Sequence, residues 1–543
     1  MYDLSYTSLN FILFVAVTAV LYFSLPLKKH KWTILLAASY FFYCFVGYKY
    51  VAFILLTTLS TYGIALWVEA YSKKSKQFLK QNKADWDKDK IKAFKNQVKI
   101  RKRLILSIAV VLNIGILAFL KYYNFFAGSL NDLLGSFGIS MSVPSLRLFL
   151  PLGISFYTFQ SVGYVVDVYR EKISAEKNPA KVALFVSFFP QIVQGPISFY
   201  DQLAHQLYEP HAFDFTRFKH ACELILWGFF KKLVIADRAV IAINAVTEDY
   251  GSFSGTTLLF IVVLYALQLY ADFSGGIDIS RGVAQIFGID LAENFKRPYF
   301  AKSINEYWRR WHITLGAWMK EYVFYPIAMS KQFTNLSKFI RKSKLGQTAT
   351  GIHIAKVLPT SIASLIVFFL VGVWHGANWK YVAFGIWNGG IIMISTLLAP
   401  VFEKVNKKLH INSQSLWFRL FQMLRTFIVV LIGYVFDVAP NFTDAMRTFR
   451  LILTDIHLST TVEQVQSLGL FTMDFVLLTI CTLVLFAVSI IQEKRSDASL
   501  RQIIDQKHFL IRLMVLAFGI LVLLTFGVYG PAYDPASFVY MQF

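Results

Sequence analysis

Glu306-Tyr-Trp-Arg-Arg-Trp-His312 and Val373-Trp-His375-Gly-Ala-Asn378-Trp379 are two polar, histidine-bearing motifs set between long apolar segments. An ionisable side chain at membrane depth is expensive, so a histidine flanked by Trp, Gly and Asn at the end of an apolar run calls for a functional explanation. That makes His375 the leading catalytic candidate. A structural reading stands beside it, because Trp and Tyr collect at membrane interfaces and a lone His there can simply hydrogen-bond a carbonyl. His312, spaced i−4, i+3 and i+7 from Trp308, Leu315 and Met319, has the pattern of a packed core histidine on one helical face.

Outward from these motifs the chain is apolar almost throughout. Its 543 residues are 56% hydrophobic, 17% aromatic and only 16% charged, too apolar for a set of soluble domains. At about 20 residues per crossing, the windows predict an all-α protein with about 11–13 transmembrane helices. Cys44, Cys222 and Cys481 each lie in an apolar window with no CxxC or Cys/His spacing, which supports neither a disulfide framework nor a zinc site. No metal or resident cofactor is expected. The net charge of +22 falls mainly in short loops beside spans, where it orients the chain and faces anionic lipid rather than nucleic acid.

The segment Leu9–Leu25 has no Lys or Arg before it, so it reads as a retained span and not a cleaved signal. Spans near 8–26, 33–47 and 49–71 lead to the basic insert 73–103, read as a charged cytoplasmic hairpin or helix. With that insert inside, both termini fall outside. A span near 104–123 leads to an outer loop over Asn124–Leu146, and another near 148–168 returns to Arg170-Glu-Lys172. The windows 182–200, 218–245 and 256–275 contain Pro190, Gly195-Pro196 and Lys231-Lys232, so at least one is predicted broken or re-entrant.

Asp272-Phe-Ser-Gly-Gly-Ile-Asp278 reads as a helix break whose carboxylates either cap the next helix or act directly. Ser303-Ile-Asn-Glu306 has the capping-box pattern, predicting an interfacial or re-entrant helix from there to Tyr325. Further spans are expected near 357–375, 381–400, 417–437, 472–491 and 509–530. This topology sets His375 towards the outer end of its helix, with His312 approaching from the cytoplasmic side.

The sequence resembles the membrane-bound O-acyltransferase (MBOAT) family, in the branch typified by the alginate O-acetylation membrane protein. The segments that carry the resemblance are Pro151-Leu-Gly-Ile-Ser-Phe-Tyr-Thr-Phe-Gln160, Phe189-Pro-Gln191 with Gly195-Pro196, and Gly228-Phe-Phe-Lys-Lys232 with Ala236-Asp237. They continue with Gln268-Leu-Tyr-Ala-Asp-Phe-Ser-Gly275, Glu293-Asn-Phe295 with Arg297-Pro298, Tyr307–Leu315 and Gly372–Asn378. The resemblance implies a single MBOAT domain over 1–543 with a catalytic core over 150–400, built as a ring of tilted helices around a thin central tunnel. It implies that His375 is catalytic and His312 a second important position. It also implies a bacterial cytoplasmic-membrane enzyme that acetylates a surface polysaccharide with an extracytoplasmic, esterase-like partner. The insert 73–103 and the basic loop near 331–355 are longer than the branch pattern, and no role carries over to them.

O-acyl transfer needs a base for the attacking hydroxyl and donors for the developing oxyanion. An imidazole accepts and returns a proton near neutral pH, which suits His375 to the first task. His312 or Asn378 suits the second. If the donor is acetyl-CoA, Arg297, Lys302, Arg309 and Arg310 are the cytoplasmic cations placed for its phosphates, or else they are positive-inside anchors. D-alanyl or fatty-acyl transfer, a flippase or transporter lacking the usual repeated halves, and a non-catalytic scaffold are the competing readings.

Overall fold

The computed structural model describes residues 5–495 and 500–529, and among these the chain is helical, with a single isolated antiparallel bridge, Phe295 to Trp311, and no strand. Among the described residues seven helices are long and apolar enough to cross a membrane: Tyr48–Asn82, Lys88–Ser136, Gly255–Ile286, Ala349–His375, Leu416–Val438, Thr472–Lys494 and Phe509–Phe526. An eighth forms from Trp379–Leu397 and Ala399–Lys408, bent by 58°, where Pro400 follows the break and cannot continue the hydrogen-bond ladder. Leu9–Ser24, Trp32–Gly47 and Ile154–Tyr169 have 16 residues each, rising about 24 Å against a hydrocarbon thickness of about 30 Å.

The chain divides into two compact units, Met1–Cys222 with Ser280–Ala292, and Glu223–Ile279 with Glu293–Phe543. In the first, the basic insert is a helical hairpin: Val51–Asn82 continues past its apolar stretch, turns, and returns as Lys88–Ser136. Asp87 caps the returning helix by accepting from the Lys90 amide at 2.6 Å. Phe78, Trp86 and Phe94 close the tip with ring centroids 5.4 to 5.9 Å apart. That apolar contact holds the tip together against the repulsion of its lysines.

Two expectations for this unit change. Asn124–Leu146 is not a loop throughout, because the helix runs on to Ser136 before the chain doubles back in extended form. Asn124 and Asn131, seven residues apart and so on one helical face, each exchange hydrogen bonds with the returning backbone of Leu146 and Val143, at 2.7 to 2.9 Å. The break expected near Pro190 is present: Pro179–Ser187 ends and Phe189–Ile192 begins anew. The Phe189 amide freed there donates to Ser39 Oγ at 3.1 Å, and the Pro190 carbonyl accepts from Tyr6 at 2.7 Å and from Ser280.

Glu171 accepts from Ser72, Lys76 and Lys102, and those donors hold its carboxyl down at about 2. A carboxylate depressed below its unfolded value stabilises the fold above that value and loses the contribution as pH falls towards the folded one. Amide exchange around residues 170–178 is therefore expected to accelerate between about pH 4.5 and 2, and Glu171→Gln to remove that pH dependence.

In the second unit, Phe215–Phe229 passes through a π-turn, Phe230–Ala236, into Asp237–Glu248. The wide turn buries both lysines of the Lys231-Lys232 pair, at 3% and 2% exposure. Lys232 Nζ donates to Asp272 and, at 2.8 Å, to Asp237, while Lys231 Nζ donates to Ser274 at 2.8 Å and Asp278 at 2.7 Å.

The helix break expected at Asp272–Asp278 is absent, since Gly255–Ile286 is continuous. Its glycine instead permits a close crossing. A Cβ at Gly228 would lie 2.7 Å from the Gly275 carbonyl oxygen, and one at Gly275 2.9 Å from that of Gly228. Without side chains at either position, the two helices approach until the lysines reach the carboxylates. Gly228→Val should cost about 1–3 kcal/mol by overpacking, read as a lower melting temperature in detergent; an unchanged melt would refute the close-contact account.

Candidate active site

The Ser303 cap forms as expected, accepting from the Glu306 amide at 3.2 Å, while Glu306 Oε2 accepts from the Lys302 amide at 3.0 Å. The helix it starts does not reach Tyr325. It ends at Arg310, and a new one begins at Ile313. His312 stands between them at φ +47°, which removes it from the helical face predicted with Trp308, Leu315 and Met319.

A left-handed non-glycine residue costs about 1–3 kcal/mol and persists only where its surroundings over-determine it. Asn294 supplies that constraint. Its carbonyl accepts from the Ile313 amide at 3.0 Å, and its Oδ1 from the Thr314 amide at 3.0 Å and the Thr314 hydroxyl at 2.9 Å. The Lys296 amide donates to the Arg310 carbonyl at 2.9 Å, fixing the segment antiparallel to Trp311.

Because Asn294 Oδ1 receives a backbone N–H, the atom facing His312 Nδ1 at 3.2 Å is an oxygen, and the ring nitrogen must be the donor. The neutral imidazole thus carries its proton on Nδ1 and its lone pair on Nε2. Phe273 sets an edge against the same ring at 4.9 Å.

His375 is the last residue of Ala349–His375, 6% exposed, packed among Trp374, Tyr381 and Phe384 at 5.2, 6.4 and 5.4 Å between ring centroids. A Cβ on Gly376 would sit 2.2 Å from the Tyr381 ring, so the glycine is what lets that ring approach His375. Asn378 caps the following helix, its Oδ1 accepting from the Lys380 amide at 3.0 Å. The two histidines come together around one indole: Trp374 contacts His312 at 5.8 Å and His375 at 5.2 Å.

A narrow crevice opens on His375. Leu269, Tyr307, Trp308, Trp311, Phe384, Tyr434 and Asp437 line it with the imidazole, and it has about 10 Å³ of room for the centre of a water-sized group, roughly one hydroxyl. Tyr307 and Tyr434 join hydroxyls at 2.7 Å, and Trp308 Nε1 donates to Asn388 at 3.0 Å. An imidazole base beside a hydroxyl-sized space in a largely aromatic wall can deprotonate an alcohol away from bulk water.

The four cations proposed for donor phosphates are placed differently from one another. Arg310 bonds Glu493 through two nitrogens at 3.0 and 3.1 Å and Glu306 at 2.8 Å, and Arg297 Nε lies 2.5 Å from the same Glu493. Arg309 is exposed and Lys302 half-buried. Among the described residues no cluster of His, Cys, Asp or Glu has the arrangement of a metal site.

The profile of the membrane-bound O-acyltransferase family matches residues 85–341, taking in His312 and ending ahead of His375. Over 438 residues the chain is 29% identical to the probable alginate O-acetylase AlgI of Azotobacter vinelandii, covering 80% of this chain and 75% of that protein. It is 29% identical over 456 residues to the peptidoglycan O-acetyltransferase of Helicobacter pylori, covering 78% and 74%. The chain thus resembles the membrane-bound O-acyltransferase family and its O-acetylating members. It is an O-acyltransferase and a multi-pass membrane protein. A teichoic acid D-alanyltransferase of Bacillus subtilis is 28% identical over 309 residues, 55% of this chain and 71% of that one.

For this acyltransferase the sequence reading overlooked Asn294, Phe273, Asp437, Lys380 and Glu493. Asp437 and Lys380 had a legible signal, being single charges inside apolar windows. Asn294 lay within the quoted segment Glu293-Asn-Phe295 without a role of its own, and Glu493 had no signal, since its partners Arg297 and Arg310 are far away in sequence.

Proposed function

We propose that the protein transfers an acetyl group from a cytoplasmic thioester, acetyl-CoA, to a hydroxyl of a cell-surface polysaccharide in a bacterial cytoplasmic membrane. The acetyl passes directly or by way of the serine of an extracytoplasmic, esterase-like partner, and both termini of the chain face outward. What carries the reading is the pair of imidazoles gathered around Trp374 beside a hydroxyl-sized crevice. The O-acetylating relatives favour acetyl.

In this mechanism His375 takes the proton of the acceptor hydroxyl as its oxygen attacks the thioester carbonyl carbon. The carbon–sulfur bond then breaks, and the proton passes from the imidazole to the departing thiolate. His312 steadies the acyl group beside the reacting carbon, with its orientation set by Asn294. Asn378 shapes the turn that carries His375. Arg297, Lys302, Arg309 and Arg310 are assigned to the donor's phosphates; at Arg297 and Arg310 a phosphate competes with Glu493 for the guanidinium groups.

The test is transfer of label from radioactive acetyl-CoA by purified protein, with and without a secreted partner, onto polysaccharide. Label in the polysaccharide supports the reading. Label from a D-alanyl thioester and none from acetyl-CoA would replace acetyl by D-alanine, the activity named for the teichoic acid relative. Substrate flux with no acyl transfer would replace catalysis by transport.

A further inference from the structure

Between Glu321 and Glu403 the chain has no acidic side chain. Within that span Lys331, Lys338, Arg341, Lys342 and Lys344, on or just after the helix Lys331–Lys342, are all exposed, and none is in an ion pair among the described residues. The basic hairpin 73–103 differs, since Lys76 and Lys102 are paired there with Glu171. Apolar side chains stand out among the five cations: Met329 is 74% exposed, Phe339 73% and Leu345 48%. The other face of the helix is already used. Ile340 is buried, and Ser337 Oγ donates to the Ala355 carbonyl at 2.7 Å, where the helix packs against the start of Ala349–His375. A Cβ on Gly351 would lie 1.7 Å from the Leu345 carbonyl oxygen, so the two helices are joined without slack.

We propose that residues 329–345 are a docking surface for anionic phospholipid, on the side of the membrane from which Ala349–His375 enters. That helix has 27 residues and rises about 40 Å, against about 30 Å of hydrocarbon. Its apolar run starts after Lys356, so residues 349–356 stand at headgroup depth. Ser337, bonded to Ala355, brings its own helix to the same depth. There the lipid phosphates meet the ammonium and guanidinium groups, which lack any carboxylate of the chain to neutralise them. Phe339, Met329 and Leu345 enter the boundary between headgroups and acyl chains. A free phosphate would satisfy the cations and leave these apolar side chains in water; a phospholipid satisfies both. Lipid binding here is independent of acyl transfer.

The test is photo-crosslinking of the purified, full-length protein in phosphatidylcholine nanodiscs. The discs carry a trace of diazirine-bearing phosphatidylglycerol or, in parallel, diazirine-bearing phosphatidylcholine, and labelled peptides are mapped by mass spectrometry. The phosphatidylglycerol probe is expected to label residues 329–345 about tenfold more than the phosphatidylcholine probe. Arg341→Gln with Lys342→Gln should cut that labelling about tenfold to thirtyfold, at roughly a factor of five per cation, and leave other peptides labelled as before. Phe339→Ser should lower labelling of this segment by both probes several-fold. All three side chains are exposed, so the variants should melt as wild type does. Equal labelling by the two probes, or labelling that survives loss of Arg341 and Lys342, would overturn the proposal. Full competition by millimolar glycerol phosphate would assign the cations to a soluble phosphate instead. Competition by polyglutamate and not by unlabelled phosphatidylglycerol would assign the surface to an acidic protein.

Discussion

His375→Ala is expected to lower acyl transfer by about 10²- to 10⁴-fold, the usual contribution of a positioned general base, while the protein remains folded and monodisperse in detergent. The imidazole makes ring contacts with Trp374, Tyr381 and Phe384, so its truncation removes packing as well as chemistry. The helix that carries it is anchored elsewhere, by Thr348 capping its start and by close contact with Trp379–Leu397. A modest fall in melting temperature with a near-total loss of transfer is the expected signature. Wild-type turnover in a stably expressed alanine variant would remove His375 from the mechanism. His312→Ala should also lose activity, but with a larger loss of stability, because a residue other than histidine would keep the strained backbone without the Nδ1 bond to Asn294.

Lys232→Met is expected to destabilise the protein by about 3–5 kcal/mol, the range found when one member of a buried ion cluster is removed. Lys232 lies between Asp237 and Asp272, whose side chains are each 1% exposed. Methionine would fill most of the volume and leave two carboxylates facing each other out of contact with water. The variant should express poorly or melt well below wild type. Adding Asp272→Asn to Lys232→Met should recover part of the loss, since it removes one of the stranded charges. An unchanged melt for the single variant would show that the cluster is reached by water and contributes little. Lys232 is held by Asp237 and Asp272, so activity per folded molecule should fall less than the yield of folded protein.

The helices were legible because hydropathy and caps are local. Ser303 and Glu306 announced a helix start that formed, and the basic stretch 73–103, read as a hairpin or a helix, is a helical hairpin whose tip Phe78, Trp86 and Phe94 close. The two histidine motifs marked themselves by placing imidazole among Trp and Gly in apolar surroundings. Where local rules failed, a distant partner had outweighed them. Gly275-Gly276 reads as a break because glycine weakens an isolated helix; in the fold, the crossing with Gly228 and the pairing of Asp272 and Asp278 with lysines keep the helix whole. Tyr307 to Met319 reads as one helix because nothing in the stretch breaks it, and Asn294 imposes the turn at His312 from outside.

Composition and periodicity alone therefore determined that this is a many-helix membrane protein, and its motifs determined which histidines to examine. Only the tertiary structure decided that Trp374 touches both imidazoles, that Arg297 and Arg310 share Glu493, and that Asp437 and His375 line one crevice. The physical reason is range. Hydrophobic pattern and capping act over a few residues, whereas a buried polar atom must find its complement wherever the chain brings one, as Asn294 and Glu493 do.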